Sequence, residues 1–360
     1  MRGRPLRRQF RKEQSNRALM GQEFGVASAA MWRFAALAAL LCALAPAAAH
    51  AGRASDARAE TRRRDTEQAV DQILSGEGVQ AAVSRILYLG QQGYAASVLI
   101  KALERGLDNR AKQSVALAFS QLGVKTAEPA LLSLLKDEDS GIRMTALQAL
   151  GRIKSDQSKK IAPLLKDRSL GVRREAARAL GAAGKAQDSR LLLEAAKQEG
   201  EPEVRAAMLI AVGDTGDKKQ ARALEGFLRS TSESTRFAAA QALCRLGSPA
   251  GFQVAQKLLS SPDRYQRRHG LALFEGTRAR ESEKMLRPML RDPDPAVGAI
   301  AARILYQGGD QKMLDWLVIT SARAPNDAKL AYETELETLH LQDDRRKQIL
   351  ARAGIKAPRQ

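Results

Sequence analysis

The skeleton of LLKDRSLGVRREAARALGAAG, residues 164–184, returns along the chain on both sides of itself. LLKDEDSGIRMTALQALGRI stands before it, and GEPEVRAAMLIAVGDTG, SESTRFAAAQALCRLG and RDPDPAVGAIAARILYQGG follow. Aligned on the closing apolar residue, the units fall at Leu122, Leu150, Leu180, Val212, Leu243, Phe274 and Leu305, at intervals of 28, 30, 32, 31, 31 and 31 residues. An eighth, weaker unit ends at Leu89–Gly90. A period in this range is the mark of stacked units that share one continuous core.

Each unit reads as two helices. In the unit around Val172, the second helix places Val172, Ala176, Ala179, Leu180 and Ala183 on one face, and the first offers Ile161, Leu164 and Leu165. That is the i, i+3, i+4 spacing of an amphipathic helix. Gly181 and Gly184 suit the exit turn. Aromatic residues are only 4% of the chain. Alanine at inward positions instead lets helices approach closely, with leucine and valine filling the gaps.

The motifs KDRSLGVRREAARALG and RDPDPAVGAIAARIL resemble HEAT repeats, and Pro163 and Pro288 stand where the first HEAT helix often carries proline. The resemblance covers residues 105–310 well and 66–104 loosely. Thr235 and Gln266 depart from the usual Val, Gly298 from the Arg and Phe274 from the Leu. The resemblance implies an all-α, right-handed α-solenoid of seven to eight helical hairpins, whose second helices line a concave face. Residues 66–309 form this solenoid, 310–360 a helical cap with Trp316 packed in it and a KAPRQ tail, and 52–65 a flexible polar leader.

One acid and one arginine recur in fixed register. Asp137, Asp167 and Asp292 precede second helices, and Arg143, Arg173, Arg205, Arg236 and Arg267 lie six residues beyond that register point. The simplest reading is a structural ladder that caps and links successive turns.

The first 51 residues read as targeting sequence. Arg33, the apolar run 34–49 and the small residues of AHA before Gly52 form a signal peptide over 31–51, cut after Ala51. This places the protein in the periplasm or outside the cell, with a retained N-terminal anchor as the alternative. Residues 1–30 form a basic extension whose Arg7-Arg8-Gln9-Phe10 is similar to a twin-arginine motif, unless translation starts at Met20 or Met31. Removing residues 1–51 takes away eight basic and two acidic residues, which lowers the net charge from +19 to +13. The mature chain then holds one cysteine, Cys244, expected as a small core residue rather than a reactive thiol.

Chemistry is sparse. His269 and His340 stand 71 positions apart with no paired cysteines, so no zinc site, metal, cofactor or catalytic residue is expected. The surface offers more. Positions one and five beyond the ladder arginine carry Arg174, Arg178, Phe237, Gln241, Arg268 and Arg303, a mixed basic and aromatic row on the proposed concave face. Such a row suits an extended acidic or amphipathic protein segment, or is ordinary tolerated surface. Residues 264–291 are locally basic: Arg264, Arg267, Arg268, Arg278, Arg280, Lys284, Arg287 and Arg291 stand against Glu275, Glu281 and Glu283. They suit a polyanion or a solvated face.

The expectation is an exported, monomeric, non-enzymatic scaffold for a protein partner, acidic in character. Nucleic acid is not expected. The alternatives are a peripheral binder of an anionic envelope polymer, surface or extracellular DNA, and an enzyme. Some HEAT-like proteins are phycobilin lyases and others alkylpurine DNA glycosylases, which is fold-level analogy alone.

Overall fold

The computed structural model describes residues 56–277 and 280–355. The basic extension 1–30, the signal segment 31–51 and the KAPRQ tail lie outside the described residues. The chain divides into two units, Met1–Gln68 and Ala69–Gln360. Among the described residues all regular structure is helical and no strand occurs. The fold is an α-solenoid.

In chain order the helices are α1 (56–75), α2 (Val79–Leu89), α3 (Gln92–Arg105), α4 (Asn109–Leu122), α5 (Glu128–Leu134), α6 (Ser140–Arg152), α7 (Ser158–Ile161), α8 (Leu170–Ala183), α9 (Ser189–Gln198) and α10 (Pro202–Asp214). There follow α11 (Ala221–Glu225), α12 (Glu233–Arg245), α13 (Pro249–Leu259), α14 (Arg264–Ala272), α15 (Arg280–Met289), α16 (Pro295–Gln307), α17 (Lys312–Arg323), α18 (Asn326–Thr338) and α19 (Asp343–Arg352). The even-numbered helices α4 to α16 are the second helices of the repeat.

Residues 56–65, expected as a flexible leader, are helical instead. Alanine, arginine and glutamate favour helix strongly. Thr61 Oγ1 donates to Ala57 O at 2.8 Å, and Arg63 and Glu67 make an i, i+4 pair. An apolar stripe is not needed for a helix to form on propensity of this kind.

Five of the seven second helices start on side-chain caps, α8 and α10 being the exceptions. Asp108, Asp139, Asp263 and Asp294 accept backbone N–H groups of the first turn, and Ser232 accepts from Thr235 N. Gly184 closes α8 at φ +65°, as expected. Gly181 does not serve the turn. It lies inside α8, and a Cβ there would meet Ala211 Cβ at 2.9 Å and Ala211 Cα at 3.0 Å. Gly151 faces Ala179 Cα at 3.3 Å and Gly213 faces Ala242 Cα at 2.7 Å in the same way. The glycine of each Ala-Leu-Gly or Ala-Val-Gly triplet is thus the contact by which one second helix seats on the next.

This contact series stops at α12. The same register position there is Cys244, whose side chain is fully buried. Helices α6, α8, α10 and α12 pack side by side, whereas α12 and α14 touch only thinly and α13 carries the packing between them. The core divides at the same place. Ala239, Ala242 and Leu243 of α12 join a cluster running back to Ala69, while Ala240 and Cys244 join one running forward to Leu350. A side chain where close approach needs glycine accounts for the seam.

Beyond the repeats, α17, α18 and α19 cover the last layer. Trp316 and Tyr332 meet edge to face at 6.0 Å between ring centroids, which places Trp316 in the cap. Glu333 joins α18 to α19 through Arg346 Nη1 at 2.8 Å. No described helix is long and apolar enough to cross a membrane.

Candidate protein-binding surface

The ladder expected from the sequence forms, with one change of register and two missing acids. Arg143 donates Nε and Nη2 to the Asp167 carboxylate at 2.9 and 2.8 Å, and Nη1 to the Asp137 and Glu138 carbonyls at 2.8 and 2.9 Å. Arg267 repeats this arrangement with Asp292 at 2.8 Å on both edge atoms, and its Nη1 reaches the Ser261 and Pro262 carbonyls. Arg173 does the same with Glu199, at 2.7 and 3.0 Å, and with Asp167 O. Lys112 supplies the first rung to Asp137 at 2.8 Å.

Each guanidinium therefore ties its own turn to the carboxylate of the next unit. That carboxylate lies two residues before the cap position and accepts the N–H there, as Asp167 does from Ser169 N at 2.9 Å. The three acids do not themselves cap, which corrects half of the expectation. Glu199 completes a rung that a search for aspartate alone overlooks.

The rungs are charge-assisted and partly desolvated. Burial alone would raise the Asp167 carboxyl. The hydrogen bond from Arg143, the Ser169 N–H and the charges of Arg143 and Arg168 outweigh it and hold the group below its ordinary value. Asp137 is lowered by the same balance, with Lys112 in the leading role, and Glu199 with Arg173.

At Ser230 and Ser261 the ladder acid is replaced by serine. Each hydroxyl still accepts the N–H two residues on, at 3.2 Å. Neither supplies a charge. Arg205 keeps a bond to Glu199 O, and Arg236 keeps Nη1 on the Ser230 and Thr231 carbonyls at 2.8 Å.

The six residues of the proposed concave row do not share one fate. Arg174 and Arg178 are exposed on α8 beside the buried Glu175, which accepts from Arg178 Nη1 at 2.9 Å. Phe237 is half-buried, its ring 4.2 Å from that of His269 across the α12–α14 seam. Gln241 is buried and donates to Ala272 O at 3.0 Å, so it holds the seam together. Arg268 is gripped by Asp294 at 2.8 Å through both edge atoms. Arg303 is clamped between Glu275 and Glu335. Burial would lower the Arg303 guanidinium, but the two glutamates raise it above its ordinary value. Gln241, Arg268 and Arg303 are thus structural rather than free contacts. Their spacing put them on the right helices, and acids lying 26 to 32 residues further on claimed both arginines.

Two concavities remain along the second helices. A groove of about 530 Å³ runs over α4, α6 and α8, lined by Leu147, Gln148, Gly151, Arg152, Arg178 and Ala179. A pocket of about 230 Å³ opens at the seam, with Arg236, Phe237 and His269 at its wall and Leu228, Val254 and Leu258 below. Nearby, Tyr265 is exposed, with the Arg264 and Arg268 guanidinium carbons 5.0 and 5.6 Å from its ring centre.

Three arginines of the basic stretch 264–291 are held in ion pairs. Arg267 and Arg268 hold Asp292 and Asp294, and Arg287 holds Glu283 and Asp310. Arg278 and the side chain of Arg280 lie outside the described residues. Cys244 sits in the core, and burial pushes its thiol up to about 12.

Residues 96–162 and 189–273 match the family model of HEAT repeats. The matched units are HEAT repeats. No curated protein matches the chain. Among solved structures the chain is similar to the complex of CpcE and CpcF of phycocyanin lyase from Nostoc sp. PCC7120, at 19% identity and a TM-score of 0.48, over 68% of this chain and 94% of that one. It is also similar to an engineered protein, at 21% identity and a TM-score of 0.38, over 80% and 83% of the two chains. A designed armadillo repeat protein in complex with the peptide (KR)4 matches at 17% identity and a TM-score of 0.33, over 60% and 97%.

Proposed function

We propose that this protein is a non-enzymatic HEAT-repeat scaffold that binds a protein partner through the exposed face of its second helices. The observation that carries this reading is selective exposure. Arg143, Arg173, Arg267, Arg268 and Arg303 are spent on acids of other helices or turns. Arg174 and Arg178, which pair with Glu175 of their own helix, stay exposed, Arg178 at the edge of a groove, and Phe237 is half-buried at the seam. Aromatic and arginine side chains beside concave surface are the residues that dominate protein interfaces. The ion pairs on Arg267, Arg268 and Arg287 leave the stretch 264–291 with fewer counterions to release, which weakens the pull of a polyanion on it.

The test is co-precipitation from cells with the full chain and with a triple variant, Arg174→Ala, Arg178→Ala and Phe237→Ala. Loss of a reproducible partner supports the reading, and undiminished capture by a folded triple variant removes this face from contention. Export through residues 31–51 belongs to the same proposal. N-terminal sequencing of the cellular protein should return a chain starting at Gly52, and a chain beginning upstream of residue 31 would overturn it.

A further inference from the structure

We propose that Arg236 at the α12–α14 seam, a ladder position lacking an internal acid, is a receptor site for a carboxylate side chain of a partner protein. The inference rests on the scaffold reading above and names the partner's chemistry.

Three neighbouring rungs show what the site is built to hold. In Arg143, Arg173 and Arg267, Nη1 is pinned by backbone carbonyls five or six residues earlier, and the Nε–Nη2 edge grips a carboxylate from the following turn. Arg236 has the first half of this arrangement intact, with Nη1 on two carbonyls at 2.8 Å. Its Nε–Nη2 edge has no partner among the described residues. The reason is local: Ser261 occupies the place that Asp292 and Asp167 fill elsewhere. The fork is therefore preorganised for a planar, two-oxygen acceptor, and the chain does not supply one.

The surroundings favour a peptide over a free anion. Arg236 borders the 230 Å³ pocket, whose wall is the Phe237–His269 ring pair and whose floor is Leu228, Val254 and Leu258. An acidic residue in the fork would set an adjoining apolar side chain into that floor. Glu233 also borders the pocket and makes no ion pair with Arg236. Asp263, two residues past Ser261, accepts the Tyr265 N–H at 2.9 Å, and Asp292 and Asp294, one unit on, are held by Arg267 and Arg268.

Arg205, one unit earlier and with Ser230 in the acid position, is not a second such fork, because its Nη2 is already bonded to Glu199 O. The expected ligand is an extended segment in which an acidic residue stands beside apolar ones.

Fluorescence anisotropy on the full chain tests this with a labelled ten-residue peptide containing Glu-Leu-Leu-Glu. Arg236→Gln should weaken binding by on the order of tenfold to a hundredfold, the size expected for a lost charged hydrogen-bond pair. The decisive variant is Ser261→Asp, which keeps every arginine but offers the fork an internal carboxylate. It should weaken binding as much as Arg236→Gln while raising thermal stability, which also shows that the protein is folded. Wild-type affinity in a folded Ser261→Asp variant overturns the proposal. So does equal binding of a Gln-Leu-Leu-Gln peptide, or full competition by millimolar inorganic phosphate. A wild-type dimer that the peptide dissociates would put a second copy of this chain in the fork and overturn it too. Partner capture that survives Ser261→Asp but fails in the Arg174, Arg178 and Phe237 variant would sink the fork and leave the scaffold standing.

Discussion

Replacing Gly213 with alanine separates helix propensity from helix packing. In an isolated helix the change is favourable by about 1 kcal/mol, because glycine loses more backbone freedom on folding than alanine does. Here the new methyl would stand 2.7 Å from Ala242 Cα, 3.1 Å from Ala242 Cβ and 3.2 Å from Ala242 O. Two of these three atoms are backbone and cannot rotate away, so α10 and α12 must part. Overfilling a packed contact of this kind costs roughly 1–3 kcal/mol, and separation also forfeits dispersion along both helices. The net expectation is a loss of about 1–2 kcal/mol despite the better propensity. Gly93, in the first turn of α3, has nothing within 4 Å of its added Cβ, so Gly93→Ala should be neutral or stabilising by up to about 1 kcal/mol. Urea titration followed by far-UV circular dichroism gives both midpoints under identical conditions. Opposite signs are required. A Gly213→Ala midpoint at or above wild type would refute the claim that these glycines set the helix spacing.

The ladder predicts unequal costs for similar arginines. Arg143→Ala strands the Asp167 carboxylate and two carbonyls where both ion-pair side chains are nearly buried, at 7% and 13% exposure, and should cost roughly 2–4 kcal/mol; Arg236→Ala, with no acid to strand, should cost under about 1. Equal urea midpoints for the two variants would defeat that distinction. Asp137, Asp167 and Glu199 are held below their ordinary values, so each contributes stability present above the unfolded carboxyl range and lost as pH falls below it and through the lower folded-state value. The urea midpoint should drop between about pH 5 and pH 3, and Asp167→Asn should flatten part of that slope; an unchanged slope would exclude the carboxylate. The Cys244 thiol, pushed up to about 12 and buried, should react with a disulfide reagent at pH 8 only as fast as the fold opens, and labelling at the rate of a free thiol would contradict the packing.

The period, the pairing of helices and the arginine register were legible because each repeats, and repetition is a signal a single sequence can carry. What repetition hid was the meaning of departures from it. Gly181 read as a turn residue because glycine after leucine at a helix end usually is one, yet Ala211, thirty residues away, is the atom set that demands it. Cys244 read as an ordinary small core residue, which its burial supports, but its consequence depends on what the same register holds in α6, α8 and α10. Only beside Gly151, Gly181 and Gly213 does a sulfur-bearing side chain there account for a parted α12 and α14. The same logic governs the candidate surface. Arg268 and Arg303 look like Arg174 and Arg178 in sequence, since spacing places all four on second helices. Their difference is made by Asp294 and by Glu275 and Glu335, acids outside the arginines' own helices. Ser230 and Ser261 carry the opposite lesson, since each satisfies the local backbone as an aspartate would and so conceals the missing charge. In a repeat protein the conserved skeleton specifies the stack, and a binding site has to be sought where a unit keeps the geometry of its neighbours but drops one of their partners.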